Sequence, residues 1–320
     1  MSLPMVSVII TTFNRAKLLQ GAIQSVLNQT FSDWELVIAD DGSTDDTGRV
    51  VQGIALADSR IRYVRWTNGG LSAARAKALP MTRGRYVALL DDDDVYLPHK
   101  LSCQVEYMET HPAVGLLYSY VELVDAEGNV IDTWPRKPTT SFHDMISHCP
   151  IQTLGILARK ECLESAGGFY AGGLGCDDID LWLRVARSSV VAFLPETVGR
   201  YRKHPGTMSQ GRKDGLVALE RVYKRVLGLP LSREECAVAR MKYAHIMYQS
   251  ALRATERQEW LTAGKRFTQA IYFCPGIGKK IKWGRYDNQL YRLSRPYVAS
   301  VLCLVIGLCT MLFMPAKKRL

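Results

Sequence analysis

Apolar segments of strand length alternate with segments of helical periodicity four times in the first hundred residues, and this alternation strongly limits the possible folds. The strand-like segments are Met5–Thr12, Trp34–Ala39, Ile61–Trp66 and Tyr86–Leu90. The first, second and fourth are nearly continuous apolar runs, as is typical of strands buried on both faces. Repeated β–α units form a parallel sheet with helices on both faces. We therefore predict an α/β, Rossmann-like fold with a mostly parallel central sheet.

The intervening segments carry helix-start signals. Asn14 is a predicted N-cap for a first helix, and Ser43 or Thr44 for a second that runs to about Leu56. A third helix is predicted over Leu71–Leu79, after an Asn-Gly-Gly turn.

Three of the four predicted strands end in polar residues. They are Thr11-Thr12, Asp40-Asp41 and the run Asp91–Asp94. Because ligands of such sheets bind at the carboxyl ends of the strands, we expect these residues to converge in one site.

The four consecutive aspartates Asp91–Asp94 should repel each other unless a cation lies among them. Clustered carboxylates suit Mg²⁺ or Mn²⁺, which prefer oxygen ligands. Mg²⁺ usually completes its shell with water and substrate phosphates, so the run favours a phosphorylated ligand. The alternative is a solvated acidic turn in which Asp94 or a neighbour caps the helix that begins near Pro98.

Two further positions suit a nucleotide. Asp40 or Asp41 could accept a hydrogen bond from a nucleobase imide, although the DDGS stretch could equally be a plain β-turn. Arg75 could bind a diphosphate through charge-assisted hydrogen bonds, or it could be a solvated helix charge.

Beyond residue 112 the pattern changes. A hairpin is predicted from Val114–Val124 and Val130–Trp134, then strands at Ile151–Ala158, Val190–Leu194 and Thr197–Tyr201, with a helix at Asp177–Arg187. From about residue 211 to 274 the period is helical, and Ala237–Leu252 and Trp260–Phe273 form a predicted antiparallel pair. We predict a main domain over 1–210, with a nucleotide-binding half (1–110) and an acceptor half (111–210), and a helical appendage over 211–297.

Residues 298–315 form an uncharged, apolar run of 18 residues, followed by Lys317, Lys318 and Arg319. At about 1.5 Å per residue such a helix spans roughly 27 Å, close to the thickness of a bilayer core. Six basic residues precede it between 278 and 297. A spanning or in-plane membrane segment is predicted, and a buried core helix is the alternative. The basic flanks and the lack of a signal peptide favour a main body on the cytoplasmic face of the inner membrane.

The net charge of +10 fits a membrane surface or a phosphorylated substrate, and no nucleic-acid partner is predicted. The eight cysteines include no CxxC pair and no His at zinc-site spacing, so no zinc site is predicted.

Six segments together resemble one known family. VSVIITTFNR, VIADDGSTDDT, NGGLSAARAKAL and GRYVALLDDDDV, in this order, are similar to family 2 glycosyltransferases of the GT-A fold, and so are CDDIDLWLRVA and YRKHPGTMS further on. The resemblance covers roughly residues 5 to 210. It implies a nucleotide-sugar donor, commonly a UDP-sugar, a divalent metal and inversion at the anomeric carbon. With the predicted membrane segment, it suggests a lipid-linked or surface-polysaccharide acceptor, as in lipopolysaccharide assembly.

The resemblance also implies roles for single residues. Thr12 and Asp40 would contact the base, Arg75 the diphosphate side and Asp91 the ribose or sugar. Asp93 and His204 would bind the metal, and Asp178 would be the catalytic base. The motifs assign to the nucleotide-sugar site, in addition, Thr11, Phe13, Asn14, Arg15, Asp41, Asn68 and Asp92.

Three positions depart from the family pattern. Ala76 stands at a usual Asn, Asp177 at a usual Glu, and Asp92 at a usual small residue within the Asp-x-Asp motif. The motif thus places Asp92 among the nucleotide-sugar residues, whereas the departure from the pattern suggests an additional charge that points away from the site. Two rival functions remain at this point: a catalytically silent glycan-binding relative and a nucleotidyltransferase.

Overall fold

In the computed structural model, which describes residues 3–172, 175–203 and 215–274, each of the four predicted early strands is present. The strands are β1 Val6–Thr12, β2 Trp34–Asp40, β3 Ile61–Arg65, β4 Tyr86–Asp91, β5 Val95–Tyr96, β6 Val114–Val124, β7 Val130–Trp134, β8 Ile156–Arg159 and β9 Val190–Arg202. The helices are α1 Ala16–Leu27, α2 Thr47–Ala57, α3 Leu71–Ala78, α4 Lys100–Thr110, α5 Phe142–Ser147, α6 Lys160–Ser165, α7 Asp177–Ser188, α8 Gly215–Leu227, α9 Arg233–Glu256 and α10 Trp260–Phe273. The chain divides into two units, Met1–Ala218 and Leu219–Leu320.

The strands of the first unit form one sheet in the order β3-β2-β1-β4-β8-β6-β9-β5, with β7 beside β6. The pairs among β1 to β4 are all parallel, as predicted. Further along, β8 runs antiparallel to both β4 and β6, and β7 is antiparallel to β6. The sheet is thus mixed, and the prediction of a mostly parallel sheet holds only for its first half. A hairpin turn of five residues joins β6 to β7, and so short a connection permits only antiparallel pairing.

Burial explains why β1 and β2 have no polar face. Every residue of β1 and β2 is buried. Alternate residues of β1 (Val6, Val8 and Ile10) belong to a core that also includes residues of α1 and α4. The helical residues of that core are Leu19, Ala22, Ile23, Val26, Leu101, Val105 and Met108. Each of the Val, Leu, Ile and Met side chains among them contributes roughly 1.5–3 kcal/mol on full burial.

The strand register brings the polar strand ends together. Thr11 lies opposite Asp91 across the β1–β4 pair, and Thr12 lies opposite Asp40 across the β1–β2 pair. The predicted convergence of these residues is therefore confirmed.

In the second unit, α9 and α10 form the predicted antiparallel helical pair. Three residues connect them, and the rings of Tyr243 and Phe273 and those of Tyr248 and Phe267 are in contact. Ser232 begins α9 with a capping box that includes Glu235.

Across residues 3–172, 175–203 and 215–274, no helix combines the length and the apolar character that crossing a bilayer requires. The predicted membrane segment, 298–315, lies outside the described residues, as does the predicted domain boundary at residue 210.

Candidate functional site

A cavity of about 540 Å³ opens where the strands of the parallel half end. Five stretches of the chain line it together with Asp41 and Tyr201: the end of β1, the start of α3, the end of β4, residues 152–154 and the start of α7. The lining residues are Thr11, Thr12, Phe13, Arg15, Asp41, Asn68, Gly70, Leu71, Ala74, Arg75, Asp91, Asp92, Asp93, Asp94, Gln152, Thr153, Leu154, Asp177, Asp178 and Tyr201. Eleven of the fourteen residues predicted for the site are among them, and they come from four of these stretches and the Asp41 turn.

The four aspartates have partners within the protein. Asp91 accepts a hydrogen bond from Arg75 Nη2 at 2.6 Å, and Asp93 accepts one from Arg15 Nη1 at 2.9 Å. Asp94 accepts the backbone N–H of Arg202 at 3.1 Å. The protein therefore offsets much of the repulsion with its own cations and N–H groups, without requiring a metal ion at every carboxylate.

Asp92 corrects a prediction. Its carboxylate lines the cavity, accepts the Thr12 hydroxyl at 2.7 Å and forms an ion pair with Arg15 at 3.0 Å. The side chain does not point away from the site. The expectation was wrong because its partners, 80 and 77 residues earlier, leave no local signal in the sequence.

Burial changes the protonation of two carboxyl groups in the run. Burial, with a smaller contribution from the charge of Asp93, raises the pKa of Asp92 to about 6, although Thr12 and Arg15 oppose the shift. Burial together with the charges of Asp91 and Asp93 raises the pKa of Asp94 well above its usual range. Partial neutralisation by protons is thus a second way in which the run is tolerated.

Arg75 lies at the centre of a buried ion cluster. Its side chain is 4% exposed, and it binds Asp91 through Nη2 and Asp177 through Nη1, at 2.6 and 3.3 Å. Burial alone would lower its pKa, but the attraction of Asp91, Asp177 and Asp178 outweighs this and raises it. Arg75 links the end of β4 to the start of α7, although 102 residues separate it from Asp177.

Asp178 lies in the first turn of α7, where the helix dipole favours a negative charge. Its Oδ2 accepts the Thr153 hydroxyl at 3.2 Å, and its Oδ1 accepts the backbone N–H of Ile179 at 2.8 Å. Because Asp178 lines the same cavity as the aspartate run, its carboxylate can take a proton from a group bound in that cavity.

The donor set fits a hard divalent cation with few protein ligands. Asp91 and Asp93 place carboxylates in the cavity, and the Thr11 hydroxyl is buried there without a hydrogen-bond partner among the described residues. Within those residues, no three His, Cys, Asp or Glu side chains form a metal-binding group. Such a site suits an ion that completes its shell with phosphate oxygens and water. His204, the other predicted ligand, lies outside the described residues.

Asp40 and Asp41 have separate tasks. Asp40 is fully buried and does not line the cavity, and its carboxylate accepts hydrogen bonds from the Ser43 N–H and the Tyr63 hydroxyl. Asp41 lines the cavity and accepts the N–H groups of Gly69 and Gly70 at 2.9 and 2.7 Å. Asp41 therefore shapes the loop that leads into α3.

Asn14 is not the N-cap of α1. That position is Arg15, and the Asn14 backbone is left-handed with φ +53°. Its side-chain oxygen accepts the Thr44 N–H at 2.7 Å, which ties the β1 loop to the turn after β2. Asn14 does not line the cavity, whereas Phe13 is half-exposed at its edge.

Gln152, Thr153, Leu154 and Tyr201 also line the cavity, although they are not among the residues predicted from the sequence. Tyr201 stands in the quoted YRKHPGTMS segment, so the motif could have identified it. Residues 152–154 carry no comparable signal, because only the order of β4, β8 and β6 in the sheet brings them beside the cavity.

The comparisons with known proteins agree with this geometry. The family model described as glycosyl transferase family 2 matches residues 7–148. The chain is 28% identical over 224 residues, 69% of its length and 86% of the relative's, to the UDP-Glc:alpha-D-GlcNAc-diphosphoundecaprenol beta-1,3-glucosyltransferase WfaP of Escherichia coli. It is 30% identical over 213 residues, 65% of its length and 83% of the relative's, to the "Putative teichuronic acid biosynthesis glycosyltransferase TuaG" of Bacillus subtilis.

Among solved structures, that of S. aureus TarS 1-349 in complex with UDP-GlcNAc is similar, with a TM-score of 0.67. The likeness covers 84% of this chain and 81% of that one at 18% identity, which establishes the fold alone.

Proposed function

Since this chain belongs to glycosyl transferase family 2 and is a glycosyltransferase, we propose that it transfers a sugar from a UDP-sugar to a hydroxyl group of a surface-glycan acceptor, with inversion. The observation that carries the proposal is the meeting of Asp91, Asp93 and Asp178 around one cavity. The names of two similar proteins support the donor class, since one uses UDP-Glc and another was crystallised with UDP-GlcNAc.

We place the nucleoside at the end of β1, where Thr11, Thr12 and Phe13 line the cavity beside Asp41 and Asn68. The unpartnered Thr11 hydroxyl gains a hydrogen bond when a ligand fills this part of the cavity. Asp40 supports this region from behind, through the turn at Ser43. Asp91 lies on the side of the ribose and the sugar.

The diphosphate and a Mn²⁺ or Mg²⁺ ion belong at the aspartate run, with Asp93 as the principal protein ligand. When bound, the ion supplies Lewis-acid stabilisation of the negative charge that develops on the leaving nucleoside diphosphate. His204 stays a predicted second ligand.

Asp178 acts as general base in this proposal. As the acceptor oxygen bonds to C1 of the donor sugar, the bond from C1 to the diphosphate oxygen breaks and the acceptor's hydroxyl proton passes to Asp178. The Thr153 hydroxyl and the Ile179 N–H orient the carboxylate for this transfer. Attack from the face opposite the leaving group inverts the anomeric carbon.

The acceptor is proposed to be a lipid-linked or surface-polysaccharide sugar. The similar WfaP is named for an acceptor on diphosphoundecaprenol, and TuaG for teichuronic acid. Placement on the cytoplasmic face of the inner membrane, through residues 298–315, stays a prediction. A silent glycan-binding relative and a nucleotidyltransferase are not favoured, because the three catalytic carboxylates are present and in one cavity.

The experiment is a screen of UDP-sugars, GDP-mannose and dTDP-sugars for release of the nucleoside diphosphate, with and without Mn²⁺ or Mg²⁺. We expect one UDP-sugar to be consumed only with the ion present, and Asp178→Asn to bind UDP normally but release none from the donor. Full turnover by Asp178→Asn, or no turnover of any donor, would contradict the proposal. Proton NMR of the transfer product reports whether the anomeric configuration inverts.

A further inference from the structure

We propose that Arg15 is the side chain that binds the diphosphate of the donor, and that Asp92 is the residue that positions it. The inference rests on the proposed function, because its ligand is the diphosphate of a nucleotide-sugar. It moves that role from Arg75, to which the family motif assigns it, to the loop that follows β1.

The charge inventory of the cavity supports this choice. Among its described lining residues, the basic side chains are Arg15 and Arg75. Arg75 is enclosed by Asp91 and Asp177, and its side chain is only 4% exposed. To reach a phosphate, Arg75 would have to leave the buried carboxylate of Asp177 without its cation, which is strongly unfavourable.

Arg15, in contrast to Arg75, is accessible from the cavity. Its side chain is 25% exposed at the cavity, and one nitrogen, Nη1, contacts both Asp92 Oδ1 at 3.0 Å and Asp93 Oδ2 at 2.9 Å. A guanidinium presents five N–H donors in a planar fork that matches two phosphate oxygens. Arg15 therefore stands beside the predicted metal ligand with the chemistry that a diphosphate requires.

Asp92 is held on both oxygens. Oδ2 accepts the Thr12 hydroxyl at 2.7 Å, and Oδ1 forms the ion pair with Arg15. Thr12 is the last residue of β1, so a rigid strand end fixes the carboxylate that fixes the arginine. If Asp93 is engaged by a cation, Asp92 still holds Arg15 at the cavity. This gives a reason for an aspartate at a position where the family usually has a small residue.

If Asp92 positions Arg15, removal of Asp92 should change anion binding in the opposite direction from the one that its charge alone predicts. By Coulomb's law, removal of a carboxylate beside an anion-binding site should strengthen anion binding. If Asp92 acts through Arg15, its removal should weaken binding instead, because Arg15 then loses the contact that keeps it in place.

The experiment is a calorimetric titration of the full chain, in Mg²⁺, with UDP, GDP and dTDP and with the corresponding nucleosides. The variants are Arg15→Gln, Arg15→Lys, Asp92→Ala, Asp92→Asn and the double variant Arg15→Gln/Asp92→Ala. Lys17→Gln is the matched control, because Lys17 is exposed on α1 and does not line the cavity. The probe compared is the diphosphate that the wild-type protein binds most tightly.

We expect Arg15→Gln to weaken diphosphate binding by about 10-fold or more, with nucleoside binding unchanged, and Arg15→Lys to restore part of the loss. Asp92→Ala should also weaken diphosphate binding, and Asp92→Asn, which keeps an acceptor oxygen, should weaken it less. In the Arg15→Gln background, Asp92→Ala should no longer weaken binding, because the two residues act as one unit.

The possible failures are distinguishable. A wild-type protein that binds none of the three diphosphates overturns the proposed function. A wild-type protein that binds one, with Arg15→Gln within about 2-fold of it, overturns the role of Arg15 alone. Tighter binding by Asp92→Ala or Asp92→Asn overturns the positioning role. Should Asp92→Ala fail to fold by circular dichroism, the Asp92→Asn and Arg15→Lys titrations still decide between these outcomes.

Discussion

Replacement of Lys100 by methionine should remove a large part of the pH dependence of this protein's stability. Lys100 begins α4 and is fully buried. Its ammonium nitrogen donates to Gln104 Oε1 at 2.5 Å and to the Ile156 carbonyl at 2.9 Å, and it lies 4.7 Å from the centre of the Tyr96 ring. No acidic side chain forms an ion pair with it in the part of the chain that the structure describes. Burial therefore lowers the pKa of Lys100 to about 7.

The magnitude follows from the two protonation equilibria. The unfolded chain keeps a lysine pKa of 10.5, about 3.5 above the value in the folded protein, and each pKa unit is worth about 1.4 kcal/mol. Burial of Lys100 thus costs about 4 kcal/mol at pH 7 and about 2 kcal/mol at pH 9. Because folding lowers the pKa of this base, the free-energy cost is full below pH 7. Between pH 7 and pH 10.5 mainly the unfolded chain keeps the proton, so the cost falls as the pH rises and disappears near pH 10.5.

The assay is urea unfolding followed by tryptophan fluorescence at half-unit steps from pH 7 to pH 9. Over that range the free energy of unfolding of the wild-type protein should rise by about 2 kcal/mol more than that of Lys100→Met. The variant also loses two hydrogen bonds, which shifts its curve by a pH-independent amount. Lys17→Met, at an exposed lysine of α1, should run parallel to the wild type. Parallel curves for Lys100→Met as well would show that Lys100 is not the titrating group.

Three further perturbations test the buried contacts around the cavity. Arg75→Gln removes the cation between Asp91 and Asp177, and loss of one partner of a buried ion pair costs about 3–5 kcal/mol. Urea unfolding should show this loss of stability. Arg49→Gln, at an exposed ion pair, should have no measurable effect. Thr153→Val removes the hydroxyl that binds Asp178 and should lower kcat without a change in UDP affinity, and an unchanged kcat would show that this hydrogen bond does not orient the base. Gly42→Ala places a Cβ 2.9 Å from the Asn68 nitrogen at φ +90°, and the strain of about 1–3 kcal/mol should lower the Tm. Gly53→Ala, in an open helical position of α2, should not lower it.

The first half of the fold could be predicted because its signal is local. Residues 5–12 and 86–90 are apolar at every position but three, which is enough to identify buried strands and to place polar residues at their ends. The second half of the sheet was harder to predict from the sequence. Whether a neighbour of β6 runs parallel or antiparallel to it depends on the connections between the strands, and the residues of β6 do not encode these. Helix starts were unreliable for a similar reason: Asn14 and Ser43 are good N-caps in isolation, yet each binds the other's loop instead.

Most residues of the site could be predicted from the sequence, but the contacts between them could not. Aspartates after a buried strand, an arginine after a glycine turn and an Asp-Asp pair at the start of an amphipathic helix are visible in the printed sequence. Which aspartate would bind which arginine depends on distances between segments up to about a hundred residues apart.

The sequence by itself thus determined the α/β alternation, the family and the set of charged residues that meet at the strand ends, because periodicity and motif order are local properties. Only the tertiary structure decided that Arg75 is enclosed by Asp91 and Asp177, that Asp92 faces the cavity and holds Arg15, and that Thr153 contacts Asp178. The physical reason is that the energy of a charge depends on its burial and on the few ångströms to its partners, and the order of strands in the sheet sets both.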